Sequence, residues 1–224
     1  MPQVDYAQDK QLCTAFLRDF EDVYADAAAN RGGDWGGRKY MAQLQGIANR
    51  TGRALAIDLD DVQAFEKAGD GGLLLEQIHN NSKRMTSLFA QAADELMPAS
   101  TGPGSTDVLD VLLEQRNASV DGQENADKSK FPPELMRRYD VVIKCLTKTK
   151  PSAIRGVRSC QIGHLCKVKG MVTRISDVKP LLTVATYIDE KTGYEIYQEV
   201  NGPTYMPLQK TPAELEAVNP GAHF

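Results

Sequence analysis

Near residue 130 the spacing of apolar residues changes from helical to strand-like, which excludes an all-helical or an all-β chain. Upstream, Leu12, Phe16, Phe20 and Val23 keep helical spacing until the Gly-rich stretch 31–37. A second helix is expected over 38–49, with Tyr40, Met41, Leu44, Ile47 and Ala48 as its apolar stripe. Residues 54–57 read as extended and run into the acidic turn Asp58-Leu59-Asp60-Asp61. There Asp58 or Asp60 is placed to cap a short helix through Phe65, because a carboxylate satisfies the free amides of the first turn. The spacing then predicts one long helix over 73–96, with Leu74, Ile78, Met85, Phe89, Ala92 and Leu96 on a single face and Pro98 as its stop. A Pro/Gly/Ser/Thr break at 99–105, a short helix at 108–116 and the polar stretch 117–130 lead to the change of period.

Downstream, a helical turn at 133–138 precedes the segments 139–145, 165–175, 181–188, 194–200 and 204–208, all short and rich in β-branched and aromatic residues. Turn signals at 190–193 and 201–203 separate the last of them. The expected class is α+β: a helical bundle over residues 1–116, a linker over 117–130, and a small β-barrel, or part of one, over 131–224.

Charge narrows the function. A net charge of -4 and an isoelectric point near 5.5 exclude a protein that coats nucleic acid with its whole surface, although a local basic site remains open. No apolar run approaches the roughly 18–20 residues of a membrane span, and residues 1–10 lack the apolar core of a signal peptide, so a soluble intracellular protein is expected. Cys13, Cys145, Cys160 and Cys166 have no CxxC spacing and read as free, buried thiols.

Enzymatic chemistry finds no support. A phosphate loop needs a lysine after its glycines so that amides and ammonium cradle the phosphates; Gly32-Gly33 and Gly36-Gly37 lack it. His79, His164 and His223 do not suggest a hydrolytic triad, and Asp58, Asp60 and Asp61 lack the remaining frame of a calcium loop. No catalytic residue and no metal ligand is assigned. The segment 167–174 says more. Alternation sends Val168, Met171 or Val172, and Ile175 inward and lets Lys167, Lys169 and Arg174 face solvent, with Lys179 arriving through the following turn. Pattern alone leaves two readings open, an ordinary solvated strand face or a groove that tracks single-stranded nucleic acid by its phosphates.

Phe131-Pro132-Pro133-Glu134-Leu135-Met136-Arg137-Arg138-Tyr139, Ile154-Arg155-Gly156-Val157-Arg158 and Ile162-Gly163-His164-Leu165 resemble the minichromosome maintenance (MCM) family of replicative helicase subunits. So do Val168 through Pro180, Tyr194 through Val200 and Pro203 through Leu208, and upstream Lys39-Tyr40-Met41, Ile57 through Val62 and Asp107 through Val111. This resemblance implies a peripheral helical domain followed by an oligonucleotide-binding (OB) barrel. It makes Arg174 and Lys179 the single-strand DNA-binding pair, with Lys169 and Lys167 beside them. It further implies a place in a nuclear heterohexameric ring with other MCM subunits, on single- or double-stranded DNA, in contact with helicase-loading factors. ATP and magnesium would belong to a carboxy-terminal motor that the matched segments do not include; the match fades from Gln209, and the chain reads as an amino-terminal portion. The family's barrel carries a zinc ribbon of two Cys pairs, and here Asp189, Thr192, Thr211 and Glu216 fall at those positions, so no zinc is expected. The competing expectation is a noncatalytic protein-interaction fragment, or a degenerate paralogue that does not bind DNA.

Overall fold

The computed structural model describes residues 6–21, 37–69, 73–101, 132–188, 195–200, 202 and 204–208. Helices and small sheets coexist, giving the α+β class. The helices are α1 (Tyr6–Asp19), α2 (Lys39–Ala48), α3 (Leu59–Lys67), α4 (Leu74–Asn80), α5 (Ser82–Leu96) and α6 (Pro133–Met136). The strands are β1 (Ala54–Asp58), β2 (Asp140–Lys144), β3 (Ser152–Ala153), β4 (Val168–Lys169), β5 (Val184–Ile188) and β6 (Glu195–Glu199). The expected helix at 108–116 and linker 117–130 lie outside the described residues.

The chain forms two compact units. The first takes residues 1–105 and 138–173, and the second takes 106–137 and 174–224. In the first unit α1 to α5 surround a core centred on Phe16, whose ring lies 4.8 Å from Tyr40, 5.4 Å from Phe65, 5.5 Å from Phe20 and 6.2 Å from Phe89. Leu17, Leu44, Leu74, Ile78 and Leu88 complete it, each at most 2% exposed. Such tilted and edge-on ring pairs add attraction beyond the area they bury.

The long helix expected over 73–96 is two helices. Asn81 leaves helical geometry (φ -141°, ψ 63°), and its Oδ1 accepts from the Arg84 amide at 3.4 Å, capping α5. An Asn side chain competes with the backbone ladder in this way, and the apolar face survives because α4 and α5 both turn it inward.

The strand after residue 139 returns to the first unit. β2 pairs in parallel with β1, Ala54 opposite Asp140 through Asp58 opposite Lys144. Tyr139 anchors this return: its buried hydroxyl lies 3.0 Å from the Ala90 carbonyl and 2.6 Å from Asp94 Oδ1. Two amides of β1 are satisfied by side chains, Ala56 N donating to Gln43 Oε1 (3.1 Å) and Asp58 N to Tyr40 Oη (3.2 Å). Unpaired strand amides invite another chain, and α2 supplies these two with acceptors.

In the second unit β5 and β6 form an antiparallel hairpin with Val184 opposite Glu199 and Ile188 opposite Glu195. Residues 205–208 lie along it: Gln198 Nε2 donates to the Met206 carbonyl (2.8 Å), and the Leu208 amide to Tyr187 Oη (3.3 Å). The expected strand at 204–208 is therefore a strap held by side chains. Only Val168 and Lys169 of the expected strand 165–175 pair, with Ser152 and Ala153.

Candidate nucleic-acid interface

The four cations singled out from the pattern fall in different units, Lys167 and Lys169 in the first, Arg174 and Lys179 in the second. Lys169 ends β4 and is exposed. Lys167 departs from expectation. It is half-buried, and its ammonium donates to the Leu146 carbonyl at 3.2 Å instead of projecting freely, because the 152–153 and 168–169 pairing draws it against the exit of β2.

Arg174 and Lys179 lie in a stretch, 170–183, that has neither helix nor strand. Both are exposed, and among the described residues neither forms an ion pair. Their heads are available to phosphate oxygens, with the exposed Asp177 as the local opposing charge. The inward alternation expected here does not occur: Met171 is 86%, Val172 78% and Ile175 84% exposed. Alternation sorts side chains only where a partner layer covers one face, and this stretch has no paired strand.

The side chains of the acidic turn do not cap α3. Asp58 precedes α3 but makes no capping bond. Its Oδ2 instead accepts from Lys39 Nζ at 2.7 Å and its Oδ1 lies 3.4 Å from Lys144 Nζ. Asp61 accepts from Lys39 Nζ (2.6 Å) and Tyr40 Oη (2.8 Å), and Asp60 from the amide and hydroxyl of Thr147. Burial raises the Asp58 pKa, but the bonds and charges of Lys39 and Lys144 outweigh it and hold the carboxyl below its usual value. Burial likewise works against the Lys39 ammonium, and its two carboxylates more than offset that, raising its pKa. The cluster joins α2, β1, α3 and β2.

The His79 and His164 rings meet edge-on with centroids 6.0 Å apart, where the Leu165 amide donates to the His79 carbonyl at 2.9 Å. Among the described residues no group of three His, Cys, Asp or Glu side chains is placed to hold a metal. The positions at which the resemblance puts zinc ligands, Asp189, Thr192, Thr211 and Glu216, lie outside the described residues. All four cysteines are free thiols, but only Cys13 is buried; Cys145, Cys160 and Cys166 are exposed, since the loops that carry them lie outside the helical core. Burial, with the nearby Asp9 charge, pushes the Cys13 thiol up to about 12. No helix among the described residues is long and apolar enough to cross a membrane.

Comparison with known proteins identifies two family regions in the chain. Residues 10–144 match the family model described as the MCM N-terminal domain, and residues 153–218 that described as the MCM OB domain. The chain is 40% identical over 220 residues to the DNA replication licensing factor MCM7 of Oryza sativa subsp. indica, covering 96% of this chain and 29% of that protein. It is 40% identical over 223 residues to the protein of that name from Arabidopsis thaliana (98% and 29%), and 41% over 181 residues to mcm7 of Schizosaccharomyces pombe (79% and 23%). The chain thus spans less than a third of the length of these curated relatives.

Proposed function

The chain belongs to the minichromosome maintenance family, and we propose that it is the amino-terminal module of a replicative helicase subunit, binding single-stranded DNA and assembling with other MCM subunits into a ring. It acts in the nucleus, in initiation and elongation of replication, alongside helicase-loading factors. It supplies contacts and not ATP hydrolysis: the matched regions are the N-terminal and OB domains. The second of these is read as part of an OB barrel, and no zinc site is proposed in it, because Asp189, Thr192, Thr211 and Glu216 offer no thiolate.

The observation that carries this reading is the state of Arg174 and Lys179. They are exposed, without an ion pair among the described residues, five positions apart, and inside the region that matches the OB domain. A lysine and an arginine so placed bind phosphate wherever the strand runs, with little regard for base.

Binding of the full chain to a single-stranded oligonucleotide, followed by fluorescence anisotropy across a salt series, tests it. The double variant Arg174→Ala, Lys179→Ala is expected to bind more weakly and to flatten the slope of log K against log salt by about 1.4, two contacts at about 0.7 each for single strands. An unchanged slope and affinity would show that these side chains do not meet DNA.

A further inference from the structure

Residues 141–173 contain seven lysines and arginines and no aspartate or glutamate, in a chain whose 19 other cations face 30 acids. The segment belongs to the first unit, apart from the one that holds Arg174 and Lys179. Two of the seven are engaged at its base. Lys144 pairs with Asp58, and the Lys167 ammonium donates to the Leu146 carbonyl. Lys148, Lys150, Arg155, Arg158 and Lys169 are exposed and have no carboxylate partner among the described residues.

The local fold joins two stretches of this segment. β3 and β4 pair in parallel, Ser152 opposite Val168 and Ala153 opposite Lys169, and the Ser152 amide donates to the Lys167 carbonyl at 2.8 Å. Gly170 closes this join, since a Cβ there would lie 2.7 Å from Ile154 Cδ1. Lys150 and Lys167 consequently line one cleft of about 140 Å³, and the turn bearing Arg155 follows β3 directly. Exposed hydroxyls, Thr149, Ser152 and Ser159, lie between the cations in sequence.

We propose that Lys148, Lys150, Arg155 and Arg158 form a second nucleic-acid contact, one that grips the phosphate backbone of duplex DNA. Lysine, arginine and hydroxyl side chains are the usual partners of phosphate oxygens. The segment 141–173 has no Phe, Tyr or Trp, so it offers no platform on which unpaired bases could stack, and a single strand gains nothing over a duplex here. The choice of DNA as the polyanion rests on the nucleic-acid reading above; the location of the contact does not. An acidic protein segment is the competing partner, since Ile154 and Ile162 are exposed nearby.

The test compares three forms of the full chain on a short blunt duplex over a salt series: wild type, the variant with these four cations changed to alanine, and Arg174→Ala, Lys179→Ala. A fourth form, Lys148→Arg with Lys150→Arg, keeps the charge and controls for folding. The four-alanine variant is expected to flatten the duplex slope by about 3.6, at about 0.9 per lost contact, while retaining the single-strand slope set by Arg174 and Lys179. The lysine-to-arginine form keeps the wild-type slope. If the wild type binds DNA and the four-alanine variant, folded by circular dichroism, keeps its duplex slope, the second contact does not exist while the Arg174 and Lys179 reading stands. If wild type binds no DNA, both readings fall. Loss of binding to polyglutamate with an unchanged duplex slope would assign the surface to an acidic protein and overturn the proposal.

Discussion

Phe16→Ala is expected to cost about 3–5 kcal/mol of stability, the range for removing a large aromatic side chain from a closed core. Phe16 is fully buried, and its ring meets those of Phe20, Tyr40, Phe65 and Phe89. It therefore joins α1, α2, α3 and α5 in one contact set. The cavity left behind is ringed by aromatics that cannot collapse into it without losing their mutual geometry, which puts the cost toward the upper end. Single domains have roughly 5–15 kcal/mol in total, so the variant should be marginally folded. Chemical denaturation followed by far-ultraviolet circular dichroism measures this. A loss under about 1 kcal/mol would mean that the aromatic cluster is not the centre of the core.

Lys39→Met is the second large effect, expected to cost about 1–3 kcal/mol. The full penalty for stranding a buried charge is higher, but the Lys39, Asp58 and Asp61 side chains remain about a fifth to a quarter exposed, and water screens what is left. The substitution leaves two carboxylates of one cluster without the ammonium that both of them bind. By contrast Lys10→Ala, which removes an ion pair to the 57% exposed Glu95, should cost less than about 1 kcal/mol. The sign with pH follows from the two shifts. Asp58 has a depressed pKa, so its contribution is present above the ordinary value of about 3.9 and is lost as pH falls through the depressed one. Lys39 has a raised pKa, so its contribution is present below about 10.4 and is lost as pH rises through the raised one. The wild-type advantage over Lys39→Met should be flat between roughly pH 5 and 9 and shrink at both ends. An advantage that grew on acidification would contradict the network.

The amino-terminal helices were legible because their evidence is local. Tyr40, Met41, Leu44 and Ile47 keep helical spacing and are all buried in α2. The break between α4 and α5 leaves no trace in the spacing, because Asn81 interrupts the backbone without interrupting the apolar stripe. β2 was legible as a strand, but its partner was not: the pairing of 140–144 with 54–58 is made over more than eighty residues and leaves no mark in either segment. The acidic turn is opaque for a similar reason. Asp58 looks like a helix cap from its neighbours, and only the distant Lys39 and Lys144 explain where its carboxylate goes. At the candidate interface Arg174 and Lys179 belong to a motif, whereas Lys148, Lys150, Arg155 and Arg158 lie outside regular strands and α-helices, with no periodicity to mark them. Their signal was the absence of acids across 141–173, visible only when the charge of the whole chain is set beside it.

On the proposed function, single-stranded DNA meets this chain at Arg174 and Lys179. The most direct measurement is photo-cross-linking of the full chain to a single-stranded oligonucleotide carrying a photoreactive thymine, with the attached peptide identified by mass spectrometry. Cross-links are expected within residues 170–183 and should disappear when Arg174 and Lys179 are both alanine. Cross-links confined to α1 through α5, or unchanged in the double variant, would contradict it.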